Sequence, residues 1–199
     1  MKRYTTTILA VLTAFCASAG AARADLISNG GFETIDGGTA LPVDWTVTGD
    51  GILADATFPN GGLEDMVFTA TSSDPSPGVL SQAVNTTAGQ DYTLSFALGD
   101  EGISALDSFT VSLGGFSQSF TGDNALPYTI ETLSIPGTDI SGPATLSFIA
   151  TNDGAAWNLD DVSLNALTVT VPEPTSAALL GLALVGMPLA RRRRKGASA

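Results

Sequence analysis

Between residues 25 and 170, short runs of alternating apolar and polar residues are separated by Gly-, Pro- and Asn-containing turns. In residues 92–98 every second residue is large and apolar, and the same period recurs in residues 109–113 and 146–150. Successive side chains of a β-strand point to opposite faces of a sheet, so this period predicts strands with one buried face. About seven to nine such strands in one segment predict an all-β sandwich.

The charges of the chain are unevenly placed. All 8 basic residues lie near the two ends, whereas all but Glu173 of the 20 acidic residues lie between residues 25 and 170. That segment contains no Lys, Arg or His, and its formal charge is therefore −19, against −12 for the whole chain. Such a surface repels phosphate groups, so we expect no nucleic-acid partner, and it suits bound cations or a salty exterior.

The residue types missing from this segment exclude several kinds of catalysis. The single cysteine, Cys16, precedes it, and it has no His and no Lys. Ser–His triads, Cys–His pairs and Schiff-base lysines are therefore excluded. A glycosidase that uses two carboxylates stays formally open. Because scattered acids make some close pair inevitable, such a pair would mean little, and we expect no enzymatic activity.

Residues 1–24 have the pattern of a secretory signal peptide. The basic residues Lys2 and Arg3 precede an apolar run over residues 8–19, and a small-x-small cleavage site follows. The alternative is an uncleaved membrane anchor, but the apolar run is shorter than the roughly 20 residues that a spanning helix needs. The residues assigned to the cleavage site are Ala22, Ala24 and Asp25.

The segment of residues 171–199 predicts a single membrane helix. Residues 175–190 carry no charge, and at about 1.5 Å per residue a helix of this length reaches about 24 Å. Snorkelling cations and local thinning of the bilayer make up the difference from a hydrocarbon core of about 30 Å. The alternative, a helix buried in a soluble core, does not suit the basic tail that follows. By the positive-inside rule this tail lies in the cytoplasm and the preceding domain faces outward. The tail consists of Arg191, Arg192, Arg193, Arg194 and Lys195.

The same segment resembles a known sorting signal. A short membrane helix and a terminal Arg cluster follow the motif Val171, Pro172, Glu173 and Pro174. In this order they resemble the PEP-CTERM sorting signal, a tail also labelled as an ice-binding-protein C-terminal domain. The resemblance implies that an exosortase of a Gram-negative, exopolysaccharide-producing bacterium processes the chain. It also implies transit through the inner membrane and delivery to the cell surface or extracellular matrix.

The middle segment, residues 25–170, resembles the jelly-roll carbohydrate-binding modules of families four, nine and twenty-two and the related galactose-binding-like domains. Residues 26–33 with Trp45 resemble their first strands, residues 80–96 their central hairpin, and residues 157–164 their last strand. The expected protein is thus an all-β jelly-roll β-sandwich ectodomain, flanked by a signal peptide and one C-terminal transmembrane helix. Because this fold hosts many functions, the resemblance concerns the fold more than the ligand.

The jelly-roll resemblance also implies one structural Ca²⁺. Members of the group often hold it between an N-terminal Glu and an Asp of the last strand, and the matching residues are Glu33 and Asp160. Period two places Asp160 on the same face as Val162 and Leu164, where a carboxylate needs a cation or hydrogen-bond donors. Backbone N–H donors are the alternative to calcium, and Asp161 replaces Asp160 if a bulge shifts the strand.

Sugar binding requires an exposed aromatic platform. Tyr92 and Trp45 are expected in the core, which leaves Trp157 and Tyr128 as the candidate ligand-binding residues, with ordinary packing as the alternative. The function predicted first is a non-enzymatic surface or exopolysaccharide-matrix protein. The alternative is a calcium-dependent carbohydrate-binding module of the cell envelope.

Overall fold

The computed structural model describes five stretches of the chain, and within them it contains ten β-strands and one short 3-10 turn. Within these stretches there is no helix with the length and apolar character needed to cross a membrane. The signal peptide, except Ala24, and the predicted membrane helix lie outside the described residues and stay predictions. The described residues are 24–69, 76–102, 107–122, 127–152 and 156–167.

The strands form two antiparallel five-stranded sheets that pack face to face. The first sheet has the order β1 (Thr46–Thr48), β4 (Val79–Val84), β9 (Ala144–Thr151), β6 (Ser108–Leu113) and β7 (Phe116–Thr121). The second sheet has the order β2 (Ile52–Asp55), β3 (Asp65–Phe68), β10 (Trp157–Ala166), β5 (Tyr92–Asp100) and β8 (Thr129–Ile135). This arrangement confirms the predicted all-β sandwich.

Aromatic side chains fill the space between the two sheets. The ring of Phe148 lies 5.6 Å from that of Phe96 and 5.8 Å from that of Phe109, measured between ring centroids. Tyr92 and Trp45 are also buried, as predicted. Each such side chain contributes about 1.5–3 kcal/mol on burial, and the alternation of strand residues delivers them from both sheets to one core.

Residues 26–33, which were predicted to form the first strand, do not form one. The segment runs beside β10, where the Leu26 amide donates to the Leu164 carbonyl at 3.0 Å and the Val162 amide donates to the Gly30 carbonyl at 2.8 Å. Asn29 adopts a φ of 50°, and its side chain holds a turn by donating to nearby carbonyl groups. The prediction was wrong because this turn chemistry outweighs the apolar pattern.

Residues 80–96 do not form the predicted central hairpin. β4 belongs to the first sheet and β5 to the second, so the intervening residues cross between the sheets. The crossing is held by the buried Tyr92, whose hydroxyl oxygen accepts a hydrogen bond from the Thr87 amide at 2.7 Å. Both strands still present alternate residues to the core, and a two-residue period alone cannot distinguish a hairpin from a crossing.

A bulge in β10 changes the face to which Asp160 belongs. Leu164 pairs with Leu94, a core residue, whereas Asp160 pairs with Ala97, and the register shifts between Asp160 and Ser163. Asp161 has a φ of 50° at this bulge. Asp160 therefore lies on the outer face of the second sheet, and the prediction that it shares the inner face with Leu164 was wrong. The bulge inserts an extra residue and inverts the alternation beyond it.

Candidate functional site

A buried polar cluster lies on the outer face of the second sheet. Asp65 and Asn158 have no exposed surface. The Tyr128 hydroxyl donates to Asp65 Oδ2 at 2.5 Å, and Asn158 Nδ2 donates to the same oxygen at 2.8 Å. Asp65 Oδ1 and Asn158 Oδ1 are buried and have no hydrogen-bond partner in the described part of the chain. Two buried acceptors without donors are costly, at about 1–3 kcal/mol each.

These surroundings change the ionisation of the cluster. Burial raises the pKa of Asp65 above its ordinary 3.8, although the hydrogen bonds from Tyr128 and Asn158 oppose the rise. Burial and the neighbouring Asp65 also raise the pKa of Tyr128. The Tyr128 hydroxyl therefore stays protonated at neutral pH and acts as the donor in its bond to Asp65.

Asp160 lies close to this cluster and receives three backbone hydrogen bonds. Its Oδ2 accepts from the amides of Asn60 at 2.9 Å and Gly61 at 3.0 Å, and its Oδ1 accepts from the amide of Asp161 at 2.7 Å. Burial raises the pKa of Asp160 to about 6, and the backbone bonds oppose the rise. Backbone N–H donors, the alternative to calcium considered for this carboxylate, are therefore present.

Glu33, the other predicted calcium ligand, binds the same loop as Asp160. Its Oε1 accepts from the amides of Leu63 at 2.7 Å and Glu64 at 3.2 Å. A Cβ placed on Gly31 would lie 3.7 Å from Asp161 Oδ1, 4.0 Å from Asp160 Oδ1 and 4.0 Å from Glu33 Cγ. The side chains of these three acids thus all approach Gly31. Across the described stretches, however, no group of three or more His, Cys, Asp or Glu residues is spaced to hold a metal ion.

The predicted aromatic pair is not an exposed platform. Trp157 is only 3% exposed and packs against Phe109 with ring centroids 5.6 Å apart, which agrees with ordinary packing rather than with a ligand-binding role. The residue pairs with Phe68 of β3 and points inward with it. Tyr128, by contrast, is half-buried and has one accessible side.

Tyr128 and the neighbouring Pro127 instead border a cleft of about 330 Å³, and the loop after β2 forms the opposite wall. The most accessible wall is Phe58, a side chain that is 49% exposed. Phe58 was missed in the sequence, where the only signal is an aromatic residue beside a proline within a predicted loop. The residues that line the cleft are Thr57, Phe58, Pro59, Pro127 and Tyr128.

The outer face of the first sheet carries mostly hydroxyl groups. One complete row of paired residues crosses all five strands and contains only Ser and Thr, namely Thr46, Ser81, Ser147, Ser112 and Ser117. The next row is Thr48, Val79, Ile149, Thr110 and Ser119. Neither row contains an ionisable residue, so this face is uncharged although the domain around it is strongly acidic.

The fold is similar to that of carbohydrate-binding modules. The structure of TmCBM61, solved with β-1,4-galactotriose, matches 72% of this chain and 99% of its own, with a TM-score of 0.55 and 20% identity. A CBM4 module matches 71% of this chain and 99% of its own, with a TM-score of 0.51 and 15% identity. The domain therefore has the jelly-roll fold of these modules, and at such identities the likeness concerns the fold alone.

An enzyme also contains this fold. The enzymatically active domain of tailspike protein 4 of bacteriophage CBA120 matches 72% of this chain but only 21% of its own, with a TM-score of 0.54 and 13% identity. Carbohydrate-binding modules themselves are non-catalytic. No curated protein matches the sequence.

The C-terminal segment is identified separately from the fold. Residues 170–195 match the PEP-CTERM protein-sorting motif. The matched range includes the motif at Pro172, Glu173 and Pro174 and ends at Lys195, the last residue of the basic tail. The chain therefore combines a sorting signal for export and membrane anchoring with a carbohydrate-binding-module fold.

Proposed function

We propose that this protein is an exosortase-sorted surface protein whose jelly-roll domain binds neutral polysaccharide in the extracellular matrix of a Gram-negative bacterium. The observation that carries the proposal is the PEP-CTERM motif in residues 170–195, which follows directly on a domain with a carbohydrate-binding-module fold. The exosortase acts on the chain, and the chain itself performs no chemistry. The inner membrane holds it during transit only.

Charge favours neutral polymers over anionic ones. Residues 25–170 contain no basic side chain, so uronate, sulfate or phosphate groups of a polymer find no cationic partner there. The surrounding carboxylates repel such groups over about 10 Å at 0.1 M salt. Sugar hydroxyl groups, in contrast, donate to carboxylates and exchange hydrogen bonds with the uncharged Ser and Thr rows of the first sheet.

The expected result is selective retention of neutral polysaccharide. In a pull-down at about 0.15 M salt, the full chain should bind at least one of xylan, β-1,4-galactan and mixed-linkage β-glucan, and should not bind alginate or polygalacturonate. Binding to the neutral polymer should persist when the salt concentration is raised, because it involves no ion pairs. Failure to retain any of the neutral polymers would contradict the proposed binding function.

We also propose that calcium binds between Glu33 and Asp160, with Asp161 as the replacement for Asp160 at the bulge. The support is that the Asp160 and Asp161 carboxylates and the Glu33 side chain all approach Gly31, and that calcium prefers such hard oxygen donors. Neighbouring basic side chains are excluded by the sequence, so a cation is the only charged partner available to these acids. Binding requires Glu33 to exchange its bonds to the loop amides for the ion, and the ion would then tie the start of the domain to β10.

Calcium should therefore raise the melting temperature of the full chain at constant ionic strength. Binding to the folded state alone contributes about 2.7 kcal/mol when calcium is a hundredfold above its Kd. With sodium held at about 0.15 M, millimolar calcium adds little screening, so the rise reports binding. Asp160→Asn should remove most of the rise, whereas Asp44→Asn, an exposed acid elsewhere, should retain it. Equal responses of both variants, or no response of the wild type, would exclude the site.

A further inference from the structure

We propose that the cleft between Phe58 and Tyr128 is a binding site for a sugar ring of a neutral polysaccharide. This inference rests on the proposed function and deepens it, because it names the residues that recognise the ligand. The cleft lies over the outer face of the second sheet, away from the Ser and Thr rows of the first sheet. Aromatic surface, an open cavity and a hydroxyl group come together there.

Two of the residues that line the cleft, Tyr128 and Thr57, make side-chain hydrogen bonds within the domain. The Tyr128 hydroxyl donates to the fully buried Asp65 at 2.5 Å. This hydrogen bond fixes the orientation of the Tyr128 ring, which is half-buried. On the opposite wall, Thr57 Oγ1 donates to Asp55 Oδ1 at 2.8 Å. Pro59 and Pro127 restrict the backbone on each side. Side chains that are already held in this way lose less conformational entropy on binding.

The chemistry of the cleft suits a sugar ring. Aromatic faces provide apolar contact for the C–H face of a pyranose, as they do for other flat or half-apolar ligands. Thr57 lines the cleft, and its hydroxyl oxygen, which donates to Asp55, can accept a hydrogen bond from a sugar hydroxyl group. A volume of about 330 Å³ is at the small end of the range of about 300–1,000 Å³ for ligand cavities. That volume fits a mono- or disaccharide unit.

The negative charge of the domain favours a neutral glycan over the other ligands that an apolar cleft could bind. A second copy of the chain brings another domain of formal charge −19, and like-charged surfaces disfavour that contact. The acids around the cleft likewise disfavour acidic peptides and anionic sugars. A neutral glycan carries no such penalty, and its hydroxyl groups use the carboxylates as acceptors.

The test measures binding of the full chain to xylan, β-1,4-galactan and mixed-linkage β-glucan by depletion from solution. Phe58→Ala should weaken binding to the retained polymer at least about tenfold, the effect expected for an aromatic residue central to an interface. Phe58→Tyr, which keeps the ring, should bind like the wild type. Leu63→Ala removes an apolar side chain that is 72% exposed but does not line the cleft, and it should have no effect.

The outcomes distinguish a failure of the cleft proposal from a failure of the proposed function. If the wild type binds a neutral polymer and Phe58→Ala binds it equally well, the cleft is not the site, although the proposed function stands. If the wild type binds none of the three polymers, both proposals fail. An equal loss in Leu63→Ala would indicate a general surface effect and would also overturn the cleft as the specific site. Because Phe58 is exposed, the melting temperature of Phe58→Ala should equal that of the wild type.

Discussion

Replacing Glu173 by alanine is expected to leave the full-length protein in the inner membrane. The motif that matches the PEP-CTERM signal contains a single charged residue, Glu173, between two prolines. A sorting enzyme that reads this motif loses its only ionic contact within it when the carboxylate is removed. The chain then keeps its apolar segment and its basic tail, which hold it in the bilayer. Cell fractionation with detection of the jelly-roll domain measures the change from surface to inner membrane.

The matched control is Glu101→Ala, which removes an exposed acid of the jelly-roll domain and leaves the sorting motif intact. This variant should reach the surface like the wild type. If Glu173→Ala also reached the surface in normal amounts, the carboxylate would not be read, and processing at this motif would be in doubt. Retention of both variants would point to a folding defect and would equally contradict the proposed role of Glu173.

The second large effect that we expect is a dependence of the domain's folding stability on pH. Asp65 and Asp160 both have pKa values raised by burial, and that of Asp160 is about 6 against an ordinary 3.8. A group whose pKa is higher in the folded state stabilises the fold fully below its unfolded pKa, near 4, and loses that contribution as pH rises through the folded pKa. We therefore expect these two acids to make the folded domain more stable near pH 4.5 than near pH 7.5. For Asp160, the difference between 3.8 and about 6 corresponds to about 3 kcal/mol.

Asp65→Asn separates the effect of the buried charge from that of the side chain's shape. An amide of the same shape still accepts hydrogen bonds from Tyr128 and Asn158 and carries no charge. Relative to the wild type, this variant should gain stability at pH 7.5 and gain less or nothing at pH 4.5. Chemical denaturation of the full chain, followed by the fluorescence of the buried Trp45 and Trp157, measures the difference.

The control for this experiment is Asp65→Ala. It removes the charge and also both hydrogen bonds, and it leaves the Tyr128 hydroxyl and the Asn158 amide without their acceptor. At about 1–3 kcal/mol for each buried group left unpaired, this variant should lose about 3 kcal/mol at pH 4.5, and less at pH 7.5, where it also removes the buried charge. If Asp65→Asn were as unstable as Asp65→Ala at pH 7.5, the charged carboxylate of Asp65 would stabilise the fold. This result would contradict the expectation that its buried charge is destabilising.

The overall architecture followed from local patterns, because each buried strand carries its own alternation. The strands around Leu94, Phe109 and Phe148 were recognised for this reason, and the last strand begins at Trp157 as expected. Which strands pair was not predictable from the same pattern, since β4 and β5 look like a hairpin but lie in different sheets. Pairing depends on contacts that are distant in sequence, and alternation does not specify them.

Two features of the site, a β-bulge and a contact between distant loops, could not be predicted from the alternation of apolar and polar residues. The bulge after Asp160 reversed the face of that residue, although its burial and its need for hydrogen-bond donors had been anticipated. The Gly- and Ala-rich loop before Trp157 left both exposure and packing open for this residue, and its pairing with Phe68 turns it inward. The cleft at Phe58 depends on a loop that meets Tyr128 from a distant part of the sequence, and this contact has no sequence signature.

The most direct test of the central claim is the intact mass of the protein recovered from the cell surface. If the chain is exported, sorted and processed as proposed, the surface form begins at Asp25 and ends close to Pro174, without the basic tail. The form retained in the inner membrane should still contain that tail. A surface form whose mass extends to Ala199 would contradict processing at the PEP-CTERM motif, and with it the proposal that an exosortase delivers this domain to the matrix.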